Sequence, residues 1–326
     1  MEIPNCVEKN NTEKKEMVQG DDLCAFSHIA PADREAFRFA TMALNLPEHE
    51  AWFMTWDLLA ETRSHMEEPN YVILEGAPSG NTWVPLQTTD INQINIQIHA
   101  ICASSATSRV HLVLSDLEET RIHDDFLREC DQLVSCVVRC SKVTAIGIRC
   151  FHFCSSLTSL DISGLTSVTS IGDFFLHECR SLTSFNMSGL TALTSIGGSF
   201  LCKCRLLTSI GMSGLTAVTS IRGNFLYECK LLTSIDMSGL TAVTSIGNFF
   251  LYGCSSLASI DMSGLTSVTS IGSNFLGGCQ SLTSINMSGL TAVTSMGDGF
   301  LNAFSIFTKK VSALHSQFVI CFSSNK

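Results

Sequence analysis

The sequence predicts an α/β solenoid, rich in strand, built as a right-handed array of stacked coils. Three observations carry this. The pair Ser-Gly before Leu-Thr recurs at Ser163, Ser188, Ser213, Ser238, Ser263 and Ser288, a step of 25 residues each time; a fixed period in that range marks an architecture of stacked units. Six copies align closely as L-x-S-[apolar]-x-[MI]-S-G-L-T-x-[VL]-T-S-[IM]-[GR]-x-x-F-L-x-x-C. A single copy is too short to close a core, so its apolar residues are covered only when a neighbour stacks on it.

Within one copy, Leu232, Ile235 and Met237 surround the polar Asp236, the pattern of a short strand with one buried face. Ser238-Gly239 then turns the chain. Leu240, Val243 and Ile246 recur at every third position, which suits a flattened second strand or tight helical turns. Phe250, Leu251 and Cys254 follow at the spacing of a helical turn and predict a short helix on the third side. Two degenerate copies lie upstream, one on Leu112, Leu114, Leu117, Ile122, Phe126 and Cys130, the next on Leu133, Cys136, Val138, Val143, Ile146, Cys150 and Cys154. The array therefore spans 109–305 in about eight coils, the last ending in Phe304 where its siblings have cysteine.

The flanks read differently. Residues 1–25 are polar and charged and predict a disordered tail. Residues 26–108 form a helical and strand region that caps the array. Pro31 opens one helix, with Ala36, Phe39, Ala40, Ala43 and Leu44 on a stripe, and Pro47 opens another with Trp52, Trp56 and Leu59. The alternating runs "INIQIHAIC" and "RVHLVLSD" read as the strands that begin the solenoid. Residues 306–326 are a C-terminal cap or tail.

Composition excludes several function classes. A chain of 326 residues with 45% hydrophobic and 15% charged content is ample for a folded core. The formal charge of -10, with no basic cluster larger than Lys14-Lys15 or Lys309-Lys310, speaks against nucleic acid. No run approaches the roughly 18 apolar residues of a membrane span, and "MEIPNCVEKNNTEKKEMVQGDD" lacks the layout of a secretory signal. These features predict a soluble cytoplasmic chain, with the cell surface as the alternative if the true N-terminus carries a signal. Fifteen cysteines, an odd count in a long chain, then read as reduced thiols.

The repeat frame accounts for most of the chemistry-bearing residues. Cys154, Cys179, Cys204, Cys229, Cys254 and Cys279 share one phase beside Phe and Leu and predict a buried ladder of small thiols. Cys136, Cys140, Cys150 and Cys154 have paired gaps that resemble zinc spacing, but the repeat already accounts for Cys136, Cys150 and Cys154 as core positions. The expected metal content is none. His123, His152 and His177 lie near cysteines, yet His152 and His177 fall where other copies carry Lys, Tyr, Gly or Asn, the mark of a tolerant surface position. No glycine-rich phosphate loop, HExxH or GxSxG is present, which predicts no enzyme and no cofactor.

The complete coil, "CxSLTSIxM…VTSIGxxFLxxC", resembles the BspA-like, or Treponema-type, leucine-rich repeat, whose unit reads CxSLTSIxLPxxLTSIGxxAFxxC. Two departures stand out: the proline after the strand is replaced by Ser-Gly-Leu-Thr, lengthening the coil, and the Ala-Phe pair is Phe-Leu. The resemblance covers about three fifths of the chain and implies a solenoid that binds proteins or surfaces without catalysis of its own. It also implies a binding side on the strand face, at Ser159, Asp161, Asn186, Ser209, Asp236, Asp261 and Asn286. Variation between copies marks a second candidate surface on the third side, at His177, Glu178, Arg180, Lys203, Tyr227 and Tyr252. The function expected is a scaffold for protein partners. Its alternatives are a microbial or protist surface antigen or adhesin, with Asn186 and Asn286 as glycosylation acceptors if exported, and a zinc-binding or substrate-presenting adaptor.

Overall fold

The computed structural model describes residues 70–299, apart from 78–79, 87, 105–108 and 116. Expectations for the tail at 1–25, for the helices opened by Pro31 and Pro47, and for the segment 306–326 lie outside the described residues.

Each coil contributes one short strand ending in Ser-Ile or its equivalent: β4 (Arg121–Ile122), β6 (Ala145–Ile146), β8 (Ser170–Ile171), β10 (Ser195–Ile196), β12 (Ser220–Ile221), β13 (Ser245–Ile246), β15 (Ser270–Ile271) and β17 (Ser295–Met296). These eight form one parallel sheet in chain order. Ser195 pairs with Ser170 on one side and Ser220 on the other, so the register of the sheet is the period of the sequence. Between the first and second strands of a coil, Leu190 donates to the Met187 carbonyl and Leu193 to that of Leu190, at 2.9 and 3.0 Å. Both readings of the three-residue spacing therefore hold in succession: tight turns first, a two-residue strand after.

The first strands are β3 (Arg109–Leu114), β5 (Leu133–Val138), β7 (Ser159–Asp161), β9 (Ser184–Asn186), β11 (Ser209–Gly211), β14 (Ser259–Asp261) and β16 (Ser284–Asn286). β3, β5 and β7 continue a hairpin of β1 (Asn70–Ala77) and β2 (Gly80–Pro85) into a five-stranded sheet, with β1 antiparallel to both β2 and β3. Seven coils are complete through Cys279, and an eighth begins with β16 and β17.

Two expectations are corrected. The run "INIQIHAIC" lies in a helix, α1 (Ile91–Ser104), and not in a strand. Its alternating isoleucines mask a helical stripe: Ile91, Ile94, Ile98 and Cys102 are buried, while Ile96 is 60% exposed. Asp90 caps the helix, its Oδ1 accepting from the amides of Asn92 and Gln93 at 2.8 and 3.0 Å. Asn95 Oδ1 accepts from the Leu127 amide at 2.8 Å and ties the helix to the first coil. Ile94 and Ile98 thus join Leu112, Leu127 and Cys130 in the core, closing the end of the stack.

The third side is the second correction, since it carries no helix in any complete coil. Every other residue there has a positive φ, as at Phe174 (61°), Leu176 (54°) and Glu178 (60°). A helix would bind its amides internally. Here Phe174 donates forward to Gly198 O at 2.7 Å, Leu176 backward to Cys150 O at 3.2 Å, and Glu178 forward to Cys202 O at 2.8 Å. The left-handed conformation costs about 1–2 kcal/mol per residue, but it lets one segment bond to both neighbouring coils. The repeat's Phe-Leu pair on this side, Phe175 and Leu176 in this coil, is fully buried, and Phe200, Phe225, Phe250 and Phe275 stack face to face with centroids 5.1–5.3 Å apart.

Candidate interaction surfaces

On the strand face the acidic and amide residues have local work. Asp161, Asn186, Asp236, Asp261 and Asn286 each accept, through Oδ1, the amide of the serine two residues on, at 2.8–3.1 Å. These bonds form Asx turns that fix the Ser-Gly corner. Asp161 also meets Arg139 at 3.3 Å, and Asn286 Nδ2 donates to Asp261 at 3.0 Å. Asn186, Ser209, Asp236, Asp261 and Asn286 are exposed, whereas Ser159 and Asp161 are partly covered.

The cysteine column faces the core. All twelve described cysteines are free and buried. Cys154, Cys179, Cys204, Cys229, Cys254 and Cys279 each donate S–H to a carbonyl of the preceding coil, at 2.9–3.2 Å. The acceptors are Leu127, Phe151, Leu176, Leu201, Leu226 and Leu251, all residues with positive φ. The left-handed turn leaves a carbonyl pointing inward, and a thiol is a buried side chain small enough to reach it. Burial pushes the thiols of Cys179, Cys229 and Cys254 well above the usual range, and that of Cys279 to about 12, so they are poor nucleophiles.

Cys136, on β5, is fully buried; Cys150 donates to His123 O at 3.1 Å, Cys154 to Leu127 O, and Cys140 is buried near Leu117. Among the described residues no group of three or more His, Cys, Asp or Glu side chains is arranged to hold a metal.

The third side changes chemistry from coil to coil. One column reads His152, His177, Cys202, Tyr227, Tyr252 and Gly277. His152 and His177 stack at 4.9 Å and 14°, and Tyr227 and Tyr252 at 5.2 Å and 10°. The surface reading of His152 is corrected: it is 8% exposed, wedged between Phe153 and Phe174, and its Nδ1 and that of His177 are buried without a partner. Burial, with His152 alongside, lowers His177 to about 4 and keeps the ring neutral. Glu178 is also buried, because its carboxylate bridges Arg180 and Lys203. That bridge holds it below the ordinary carboxylate range against the opposing effect of burial.

A shallow groove of about 820 Å³ runs beside the second-strand sheet, lined by Asp173, Arg222, Asn224, Asn248 and Phe249 together with Ser220, Ser245 and Ser270. The residues that follow the second strands make a glycine column: a Cβ on Gly197 would sit 2.4 Å from Gly172, and one on Gly272, in the groove lining, 2.4 Å from Asn248. Arg222 departs from glycine in this column, as His123 does in the first coil. Its amide rung to Ile196 O is stretched to 3.3 Å, against 2.8–2.9 Å at Gly147, Gly172, Gly197, Gly247, Gly272 and Gly297, and its guanidinium reaches Asp173 two coils away.

One polar cluster carries no signal in the repeat. His111 Nδ1 meets Ser135 Oγ at 2.8 Å and its Nε2 meets Glu75 Oε2 at 3.1 Å. The order resembles a nucleophile, a base and its carboxylate. Yet Ser135 is 3% exposed and His111 1%, leaving no room for a substrate against the hydroxyl. The cluster links β1, β3 and β5. Sequence reading missed it because its members are far apart in the chain and one belongs to a hairpin outside the array.

Coils of strand, tight turns and a strained third side, stacked on a shared core of leucine, phenylalanine and cysteine, define a leucine-rich-repeat solenoid. Residues 120–240 and 196–316 match the model of the BspA type leucine rich repeat region, in six copies, and the chain belongs to that family. Among curated proteins none matches it. Among solved structures, a leucine-rich repeat protein of T. pallidum is similar at 19% identity and a TM-score of 0.42, over 66% of this chain and 84% of that one. A leucine-rich cell surface protein of Faecalibacterium prausnitzii is similar at 21% identity and a TM-score of 0.31, over 56% of this chain and 62% of that one. A leucine-rich repeat protein of Bacteroides ovatus is similar at 18% identity and a TM-score of 0.24, over 58% of this chain and 74% of that one.

Proposed function

We propose that this chain is a non-enzymatic scaffold whose solenoid holds protein partners. One observation carries the reading: the core positions repeat almost without change, while the half-exposed third-side positions His177, Lys203, Tyr227 and Tyr252 differ in chemistry from coil to coil. A surface that varies on a frame that does not is what recognition of one partner requires. We place the chain in the cytoplasm, a reducing compartment that suits twelve free buried thiols. The cell surface is the second reading, favoured by exposed Asn186 and Asn286 in Asn-Met-Ser.

The test is proximity labelling in the source cell with the full chain and with a variant carrying His177→Gly, Tyr227→Gly and Tyr252→Gly. A defined set of protein neighbours, lost in the variant, is the expected result. Neighbours unchanged by the variant would remove the third side from the proposal. A cell-surface neighbourhood would overturn the cytoplasmic placement.

A further inference from the structure

The corner where the third side turns back toward the first strand carries a second pattern. Arg180, Arg205 and Lys230 each follow directly on the buried cysteine of their coil, so three consecutive coils place an exposed cation at one phase. In two of these coils the next residue is leucine, and both are open to solvent: Leu206 is 45% exposed and Leu231 43%. The same phase holds Ser181, Ser256 and Ser281 elsewhere. Among the described residues the other large exposed apolar side chains are Ile96, Ile148 and Phe174, which share no phase with one another. Stacked coils bring equivalent positions within about 4.8 Å. Leu206 and Leu231 therefore make one apolar strip, flanked along its length by cations.

The local charge is positive in a chain of 30 acidic and 20 basic residues. Glu178 already bridges Arg180 and Lys203, and Glu228 lies against Tyr227. Arg205 and Lys230 form no ion pair among the described residues. We propose that Arg180, Arg205, Lys230, Leu206 and Leu231 form a docking strip for an acidic peptide segment of a partner protein that also carries a leucine-like side chain. The inference rests on the scaffold reading and names a surface and a chemistry for it. An anionic membrane is the weaker occupant, because a few cations must then draw a body of net charge -10 against a negative surface. A peptide touches the strip alone.

The experiment pans phage-displayed random linear peptides on the full chain, then measures each enriched peptide by fluorescence anisotropy. Peptides with Asp or Glu beside Leu, Ile or Phe are expected, binding more weakly as salt rises. Arg205→Glu with Lys230→Glu, and separately Leu206→Ser with Leu231→Ser, should each weaken binding by about tenfold or more. Neither pair should disturb folding, since Asp131 and Ser256 hold the same phases in other coils; unchanged circular dichroism checks this. Enriched peptides that bind both variants as well as the parent overturn the strip and leave the scaffold reading standing. Failure to enrich any peptide also overturns it, and the labelling experiment then judges the scaffold independently. Binding of the parent to phosphatidylserine vesicles in place of peptides would assign the strip to a membrane and reject the peptide.

Discussion

At the scale of a residue, the coil-ending cysteine is a hydrogen-bond donor matched to a strained carbonyl. Its burial is legible in the sequence, because the same phase beside Phe and Leu recurs in every copy. The acceptor is not, because it belongs to Leu201 or Leu226, whose positive φ no leucine announces. Replacing Cys229 by alanine removes the sulfur and leaves Leu201 O without the thiol donor. We expect a loss of about 1–3 kcal/mol from the cavity and the weakened hydrogen bonding together, read as a lower midpoint in urea unfolding. An unchanged midpoint would mean that the thiol only fills space. His152 shows the opposite limit of pattern reading, since its variability among copies reflects aromatic neighbours that differ from coil to coil rather than exposure.

At the scale of an element, apolar spacing specified which residues turn inward but not how the backbone brings them there. Phe250, Leu251 and Cys254 are all buried, as a helix would bury them, yet their segment is a left-handed zigzag. Helical and zigzag backbones both point these side chains to one side; the difference lies in the amides, which no side-chain pattern records. The glycine column makes the complementary case, for these glycines have no positive φ and are needed for close approach. Gly197→Ala should therefore cost about 1–3 kcal/mol by overpacking and separate two coils locally, seen as faster amide hydrogen exchange at Gly197 and Arg222. Equal exchange in the variant would show that the stack yields more easily than the spacing implies.

At the scale of the whole molecule, the repeat fixes the register of every ladder, and this much could be read directly from the period of Ser163 to Ser288. The cap could not, because β1, β2 and α1 obey no repeat, and the isoleucines of α1 alternate as a strand would. Deleting one coil in phase, residues 255–279, joins Cys254 to Gln280 and restores the same sequence of neighbours. The shortened chain should fold, with an unfolding m-value reduced by about the share of surface one coil buries. Loss of cooperative unfolding would show that coils are not interchangeable.

The forward and backward rungs of the third side also set how the molecule answers a pull. Tension along the stack loads the bonds at each junction in turn, so coils peel away singly, and each freed length of 25 residues extends by about 80–90 Å. A partner held across several coils would stitch those junctions together. Occupancy and mechanical stiffness would then rise as one.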